Sequence, residues 1–233
     1  TGLNRLGLRV EEAAELAGAR DRLGGIELEL IISHLACADD PDSPMNPRQA
    51  AAFAAACEHF PGVRRSLANS AGVVLGGDYL HDLVRPGIAL YGGGPCGKTD
   101  PAFRPTAMLD APILQVRSIR PGETVGYGAT YTATSPRRAA VIAAGYADGV
   151  LRVGSPQGYG WLNGAACAFL GRISMDLIAL DVTDCEATPG DRVELFGPNL
   201  ALDRAATAAG TIAYELLTRV GPRAARHYLG RDA

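Results

Sequence analysis

A few short segments of this 233-residue chain place reactive side chains among glycines or backbone amides. Ala68-Asn69-Ser70-Ala71-Gly72 joins a short apolar run to a helical one, so Ser70 presents its hydroxyl beside the amides of a helix start. That geometry suits a phosphate, and it equally suits a plain helix cap. In Val84-Arg85-Pro86-Gly87-Ile88, the missing side chain of Gly87 lets backbone amides approach an anion closely. Ser33-His34-Leu35-Ala36 sets an imidazole at the end of an apolar run, as a titrating group or as a satisfied structural one. Gly126-Tyr127-Gly128-Ala129-Thr130-Tyr131 stands a tyrosine ring on a backbone with little cover, and taken alone it reads as a turn with a packed tyrosine. Gly145-Tyr146-Ala147-Asp148-Gly149 and Gly171-Arg172-Ile173-Ser174-Met175-Asp176 read singly as turns after strands, and Thr211-Ile212-Ala213-Tyr214-Glu215 as a helix start with a core tyrosine. The chemistry within reach is phosphate binding.

Elements must bring these segments into position. Residues 11–19 and 46–60 are Ala/Glu-rich with helical spacing, and Asn46-Pro47 reads as a cap with proline at the first helical position. The apolar runs 28–33, 66–68 and 83–90 alternate with these helices as strands do in parallel βα units. Glycines and prolines then break the pattern, which predicts a linker over 92–105. Beyond it, turn-bounded runs at 111–119, 139–144, 166–173, 177–182 and 192–196 predict a mostly antiparallel β domain, and 201–208 and 211–220 predict helices near its end. About three βα strands cannot close a (β/α)8 barrel, which takes ~250 residues. They would nevertheless set His34, Ser70 and Arg85 at strand ends, where barrels carry their sites, and phosphate sites often use the loops after the last two strands.

A net charge of −3 argues against a nucleic-acid partner. The apolar runs fall short of the ~20 residues of a membrane helix, and neither a membrane span nor a signal peptide is expected, so the expected compartment is the cytoplasm. The five cysteines form no C-x-x-C pair and are expected to be free thiols, with no metal site. The 22 basic residues comprise Lys98 and 21 arginines, and Lys98 lies in the Gly/Pro-rich loop. Thr1 opens straight into Gly2-Leu3-Asn4-Arg5-Leu6-Gly7 with no lead-in, from which a longer polypeptide is expected.

The order and spacing of these segments, together with Gly2-Leu3-Asn4-Arg5-Leu6-Gly7 and Val84-Arg85-Pro86-Gly87-Ile88-Ala89-Leu90-Tyr91-Gly92, resemble the alanine racemase family along the whole chain. The resemblance implies α/β plus β architecture: the last strands of a (β/α)8 barrel, or TIM barrel, over 1–91, a linker over 92–105, and a β domain with terminal helices over 106–233. It implies pyridoxal 5′-phosphate as cofactor and a homodimer in which each site borrows residues from the other subunit. It implies that Asn69, Ser70, Gly87, Ile88 and Tyr214 hold the phosphate end, and that Arg85 faces the pyridine nitrogen. An arginine there cannot give up a proton, so the ring is a weaker electron sink.

By the same resemblance Tyr127 is a base supplied in trans to one face of the substrate α-carbon, and a lysine serves the other. A phenol is a poor base at neutral pH unless positive charge stands near it, and the resemblance gives that surrounding to Arg5 and His34. Arg5 and the Met175 amide position the substrate carboxylate, and Tyr146, Arg152, Asp39 and Arg172 line the entry. Ser174 stands where many family members have cysteine. The cofactor-holding lysine is expected upstream of Thr1, so this chain alone is expected to be inactive and residues 1–91 to present an open barrel edge. The implied reaction interconverts L- and D-alanine for peptidoglycan. A racemase for serine or another small amino acid, and a non-catalytic dimerisation or cofactor-binding relative, are the competing readings. The retention of Arg5, His34, Arg85 and Tyr127 together speaks against the last, since a scaffold gains nothing from an exposed base and its charge partners.

Overall fold

In the computed structural model, which describes residues 1–230, the chain divides into one unit of residues 1–90 with 94–96 and another of residues 91–93 with those from 97 onward. The first unit runs α1 (Val10–Gly18), β1 (Leu30–Ile32), α2 (Met45–Glu58), β2 (Arg64–Ser66) and α3 (Ser70–Leu75). β1 and β2 are parallel, with Leu30 opposite Arg64 and Ile32 opposite Ser66, and a further parallel bridge joins Asn69 to Arg85. α2 buries Gln49, Phe53, Ala56 and Cys57, one helical face, and its Phe53 and Cys57 pack with Leu35, Leu67 and Ala71. Burying each large apolar side chain of this kind contributes about 1.5–3 kcal/mol. β1 has β2 as its one sheet neighbour among the described residues, and Leu6, Leu8, Ile26 and Ile32 of this unit are exposed.

Two local expectations are corrected here. The expected strand over 83–90 is absent: beyond the Arg85 bridge the chain enters a 3-10 turn, Ile88–Tyr91. Pro86 has no N–H for a ladder, and the amides of Gly87 and Ala89 donate to Ser70 Oγ at 2.8 and 3.4 Å instead. The second helix begins at Met45 with Pro44 at the cap, so Asn46 is not the cap; it is buried, and its Nδ2 donates to the Asp40 carbonyl at 2.9 Å.

The second unit contains β3 (Leu109–Ile119), β4 (Thr124–Val125), β5 (Tyr131–Thr132), β6 (Arg137–Ile142), β7 (Tyr159–Leu162), β8 (Ala165–Ala168), β9 (Ile178–Asp181), β10 (Arg192–Phe196), α4 (Leu202–Ala208) and α5 (Ala213–Arg219). Six strands form a sheet in the order β8-β7-β10-β3-β6-β9, antiparallel at each pairing. The alternation of buried and less buried residues along β7 and β9 is what a sheet covered on one face requires. Ile113, Ile142, Leu162, Ile178, Leu180 and Val193 make its core. The run expected as one strand over 166–173 is strand only to Ala168; from Phe169 it crosses to bridge Leu180, and Leu170 N donates to Ala179 O at 2.8 Å. β4 and β5 form a separate two-stranded ribbon whose connecting turn carries Tyr127.

All five cysteines are free, no group of three metal-ligating residues occurs among the described residues, and none of their helices is long and apolar enough to cross a membrane.

Candidate active site

In the first unit the strand ends converge on the Arg85 guanidinium. Its Nη2 donates to the Ser33 carbonyl at 2.7 Å, its Nη1 donates to Ser66 Oγ, and Ser66 in turn donates to the Leu83 carbonyl at 2.7 Å. The segments that follow β1 and β2, at 33–34 and 66–67, and the 83–85 segment are thereby tied to one cation. Burial pulls Arg85 below the usual guanidinium value, yet an arginine stays charged at any physiological pH.

His34 lies between two donors. Its Nδ1 is 3.4 Å from Arg85 Nη2 and its Nε2 is 3.4 Å from Asn69 Nδ2, whose Oδ1 already caps Gly72 N at 2.9 Å. Protonation would set an imidazolium N–H against a donor on both sides. Burial, then the charges of Arg85 and Arg5, hold His34 below its ordinary value of 6.5, so the ring is neutral at neutral pH. Gln49, fully buried on α2, fixes the segment by donating to His34 O at 2.9 Å and accepting from Ala36 N at 2.8 Å. Arg5, Ser33, His34 and Arg85 share the wall of an open cavity of about 580 Å³ with Leu28, Leu30 and Ile32.

The phosphate candidates differ in detail from the expected picture. Ser70 opens α3, a helix of six residues whose Gly72 amide is capped by Asn69. Its buried Oγ accepts from Gly87 N and Ala89 N. With its lone pairs engaged, the hydroxyl keeps a proton to donate, which is what an anionic oxygen needs. Ile88 is buried next to Gly87. Donor-only groups at Arg85 and Ser70 thus fit a ligand that carries acceptor atoms at both ends.

The second unit carries Tyr127, Tyr146, Met175, Tyr214, Arg152 and Arg172; Asp39, expected among the entry residues, is an exposed residue of the first. Tyr127 is 70% exposed on a turn where Gly126, Gly128 and Ala129 have φ of 79°, 74° and 47°. A side chain at Gly128 would be strained at that φ and would meet Arg172 Nη1 at 3.0 Å, so the Arg172 guanidinium lies against the Tyr127 turn. Tyr146 and Met175 occupy adjoining segments: Tyr146 N donates to Ser174 O and Ala147 N to Met175 O, both at 3.0 Å. Tyr214 is half-exposed on α5. Arg152 opens a 3-10 turn, Arg152–Gly154.

Reading the sequence for reactive groups misses Gln49 and Ser66, which hold His34 and Arg85. Gln49 had a signal, since it lies at helical spacing from Phe53 and Cys57 on the buried face of α2, where a polar side chain must find partners.

The first 95 residues match the family model described as the N-terminal domain of alanine racemase, and residues 106–228 match its C-terminal domain. An alanine racemase of Jannaschia sp. is 46% identical over 96% of this chain and 62% of its own length, and one of Methylobacterium sp. is 47% identical over 98% and 64%. Among solved structures, the alanine racemase of Bartonella henselae with covalently bound pyridoxal phosphate superposes at a TM-score of 0.90 with 40% identity, covering 98% of this chain and 64% of that one. The biosynthetic alanine racemase of Pseudomonas aeruginosa gives 0.91 at 37% identity, over 98% and 65%. The chain spans a little under two thirds of the length of these relatives. With family models matched on both units and relatives above 40% identity over nearly all its residues, this chain belongs to the alanine racemase family.

Proposed function

We propose that the polypeptide carrying this sequence interconverts L- and D-alanine with pyridoxal phosphate, supplying D-alanine for peptidoglycan, as a cytoplasmic homodimer whose sites combine residues of both subunits. In this reading residues 1–91 are the closing part of a (β/α)8 barrel, 92–105 the linker and 106–233 the β domain. The observation that carries it is the Arg85 cluster: a half-buried, donor-only guanidinium locked to the ends of β1 and β2 beside a histidine kept neutral. The covalently bound cofactor of the Bartonella henselae relative supports the choice of ligand.

When bound, pyridoxal phosphate supplies the electron sink that makes an amino acid's α-proton removable. Arg85 would meet the ring nitrogen and, having no proton to yield, would keep that sink weak, which disfavours side reactions. Ser70, with Asn69, Gly87, Ile88 and Tyr214, holds the phosphate. Arg5 and the Met175 amide orient the substrate carboxylate, and Tyr146, Arg152, Asp39 and Arg172 line the approach. Tyr127, exposed on its turn, reaches the partner subunit's site and moves the proton on one face of Cα, with Arg5 and His34 near its oxygen. The opposite face needs a second base. Lys98, in the Gly/Pro-rich stretch, is not suited to it, and the reading assigns that base to a lysine outside these 233 residues.

The test compares the polypeptide of the complete reading frame with the 233-residue chain, each supplied with cofactor and L-alanine. The complete polypeptide is expected to bring alanine to an equal mixture of enantiomers, and the 233-residue chain to show no turnover and no stoichiometric label after borohydride. Absence of racemisation in the complete polypeptide would refute the assignment, and turnover by the 233-residue chain would refute the need for an outside lysine.

A further inference from the structure

Arg223, in the turn that follows α5, has no part in the chemistry described above, yet it joins the two segments that carry Tyr146 and Met175. Its Nη1 donates to Asp176 Oδ1 at 2.6 Å, and its Nε is 3.2 Å from Asp148 Oδ1. Asp148 is the better buried of the two carboxylates, 15% exposed at its side chain against 51% for Asp176, and its other oxygen accepts from Gly145 N at 2.8 Å. The backbone repeats the link: Tyr146 N and Ala147 N donate to Ser174 O and Met175 O, and Gly221 N donates to Asp148 O at 3.4 Å. Packing between the segments leaves no slack. A Cβ at Gly145 would fall 2.2 Å from Met175 O, and one at Gly149 2.3 Å from Arg219 O.

We propose that Arg223 is a positioning residue that holds the Tyr146 and Met175 segments in register by bridging Asp148 and Asp176. This rests on the reading above, in which both segments face the substrate. The planar guanidinium offers separate donors in fixed directions and so serves two carboxylates at once, whereas a lysine ammonium is a single flexible point charge. Without the bridge, the Asp148 carboxylate keeps only its bond to Gly145 N, Asp176 is freed, and the placement of the Met175 amide relative to Tyr146 rests on the two backbone bonds alone, which open more readily. A carboxylate held by that amide is held alike before and during proton transfer, so loosening it weakens binding more than turnover.

The test uses Arg223→Ala, Arg223→Lys and Asp176→Asn in the complete polypeptide, with two readouts. By hydrogen exchange, amides of residues 145–149 and 174–177 are expected to exchange about tenfold faster in Arg223→Ala while those of β3 and β6 stay unchanged, which is local opening rather than loss of the fold. In steady-state kinetics KM for alanine is expected to rise about tenfold with kcat within about threefold, Arg223→Lys and Asp176→Asn lying between Arg223→Ala and the unaltered protein. Unchanged exchange in the two segments overturns the proposal. So does faster exchange throughout the sheet, or a fall in kcat with KM unmoved. The exchange effect in Arg223→Ala with no racemisation by the unaltered polypeptide overturns the substrate role together with the reading it rests on, while unchanged exchange in Arg223→Ala with an active unaltered enzyme overturns the bridge alone.

Discussion

His34 shows how a single side chain is made to serve a site by its neighbours. The ring faces Arg85 and Asn69, both donors, and burial adds to the positive charge of Arg85 and Arg5 in holding its proton affinity down. The consequence for stability has a definite sign. A folded-state value below the unfolded 6.5 means that above that pH the ring is neutral in both states and nothing is lost. As pH falls through 6.5 the unfolded chain takes up a proton that the folded chain resists, so stability declines. Urea denaturation followed between pH 7.5 and 5.5 is expected to show a falling midpoint for the first unit, and His34→Asn is expected to flatten that slope. An equal slope in the variant would remove His34 as its source. The residue was legible in the sequence as a candidate, but its neutrality was not, because that follows from where Arg85 and Asn69 come to lie.

At the scale of elements, the second unit was the more legible of the two. Turn-bounded apolar runs mark β3, β6, β9 and β10 within a residue or two, since short apolar stretches between turn residues are what buried strands leave in the sequence. The stretch around Arg85 was misread as a strand because its apolar residues are real, while the bond that redirects them is not visible in one dimension: Ser70 Oγ takes the Gly87 and Ala89 amides that a ladder would use. Backbone approach is equally hidden. Gly145 sits at an extended φ of −158° that any residue can adopt, so its requirement comes from space alone, with Met175 O 2.2 Å from where a Cβ would stand. Gly145→Ala is therefore expected to destabilise the second unit by about 1–3 kcal/mol, as overpacking does, measured as a shift in denaturant midpoint without a change in slope. An unchanged midpoint would mean that the 145–149 and 174–177 segments yield freely, contrary to the register described here.

At the scale of the whole molecule, the account rests on a requirement of stereochemistry: inversion at Cα needs a proton removed from one face and returned to the other, so two bases must approach from opposite sides. In the proposed reading Tyr127 is one of them and the other is a lysine outside these 233 residues; Tyr127 stands 70% exposed on its turn. Tyr127→Phe removes the hydroxyl and keeps the ring, so the loss should fall on proton transfer while circular dichroism stays unchanged. General acid–base catalysis contributes about 10²–10⁴-fold, and racemisation is expected to fall by that factor in both directions, as the equilibrium demands. The decisive measurement is proton NMR of each alanine enantiomer in deuterated solvent with the Tyr127→Phe variant of the complete polypeptide. D-alanine is expected still to exchange its α-proton without inverting, through the other base, while exchange from L-alanine is suppressed; equal loss of exchange from both enantiomers, or racemisation within a few-fold of the unaltered enzyme, would remove Tyr127 from this role.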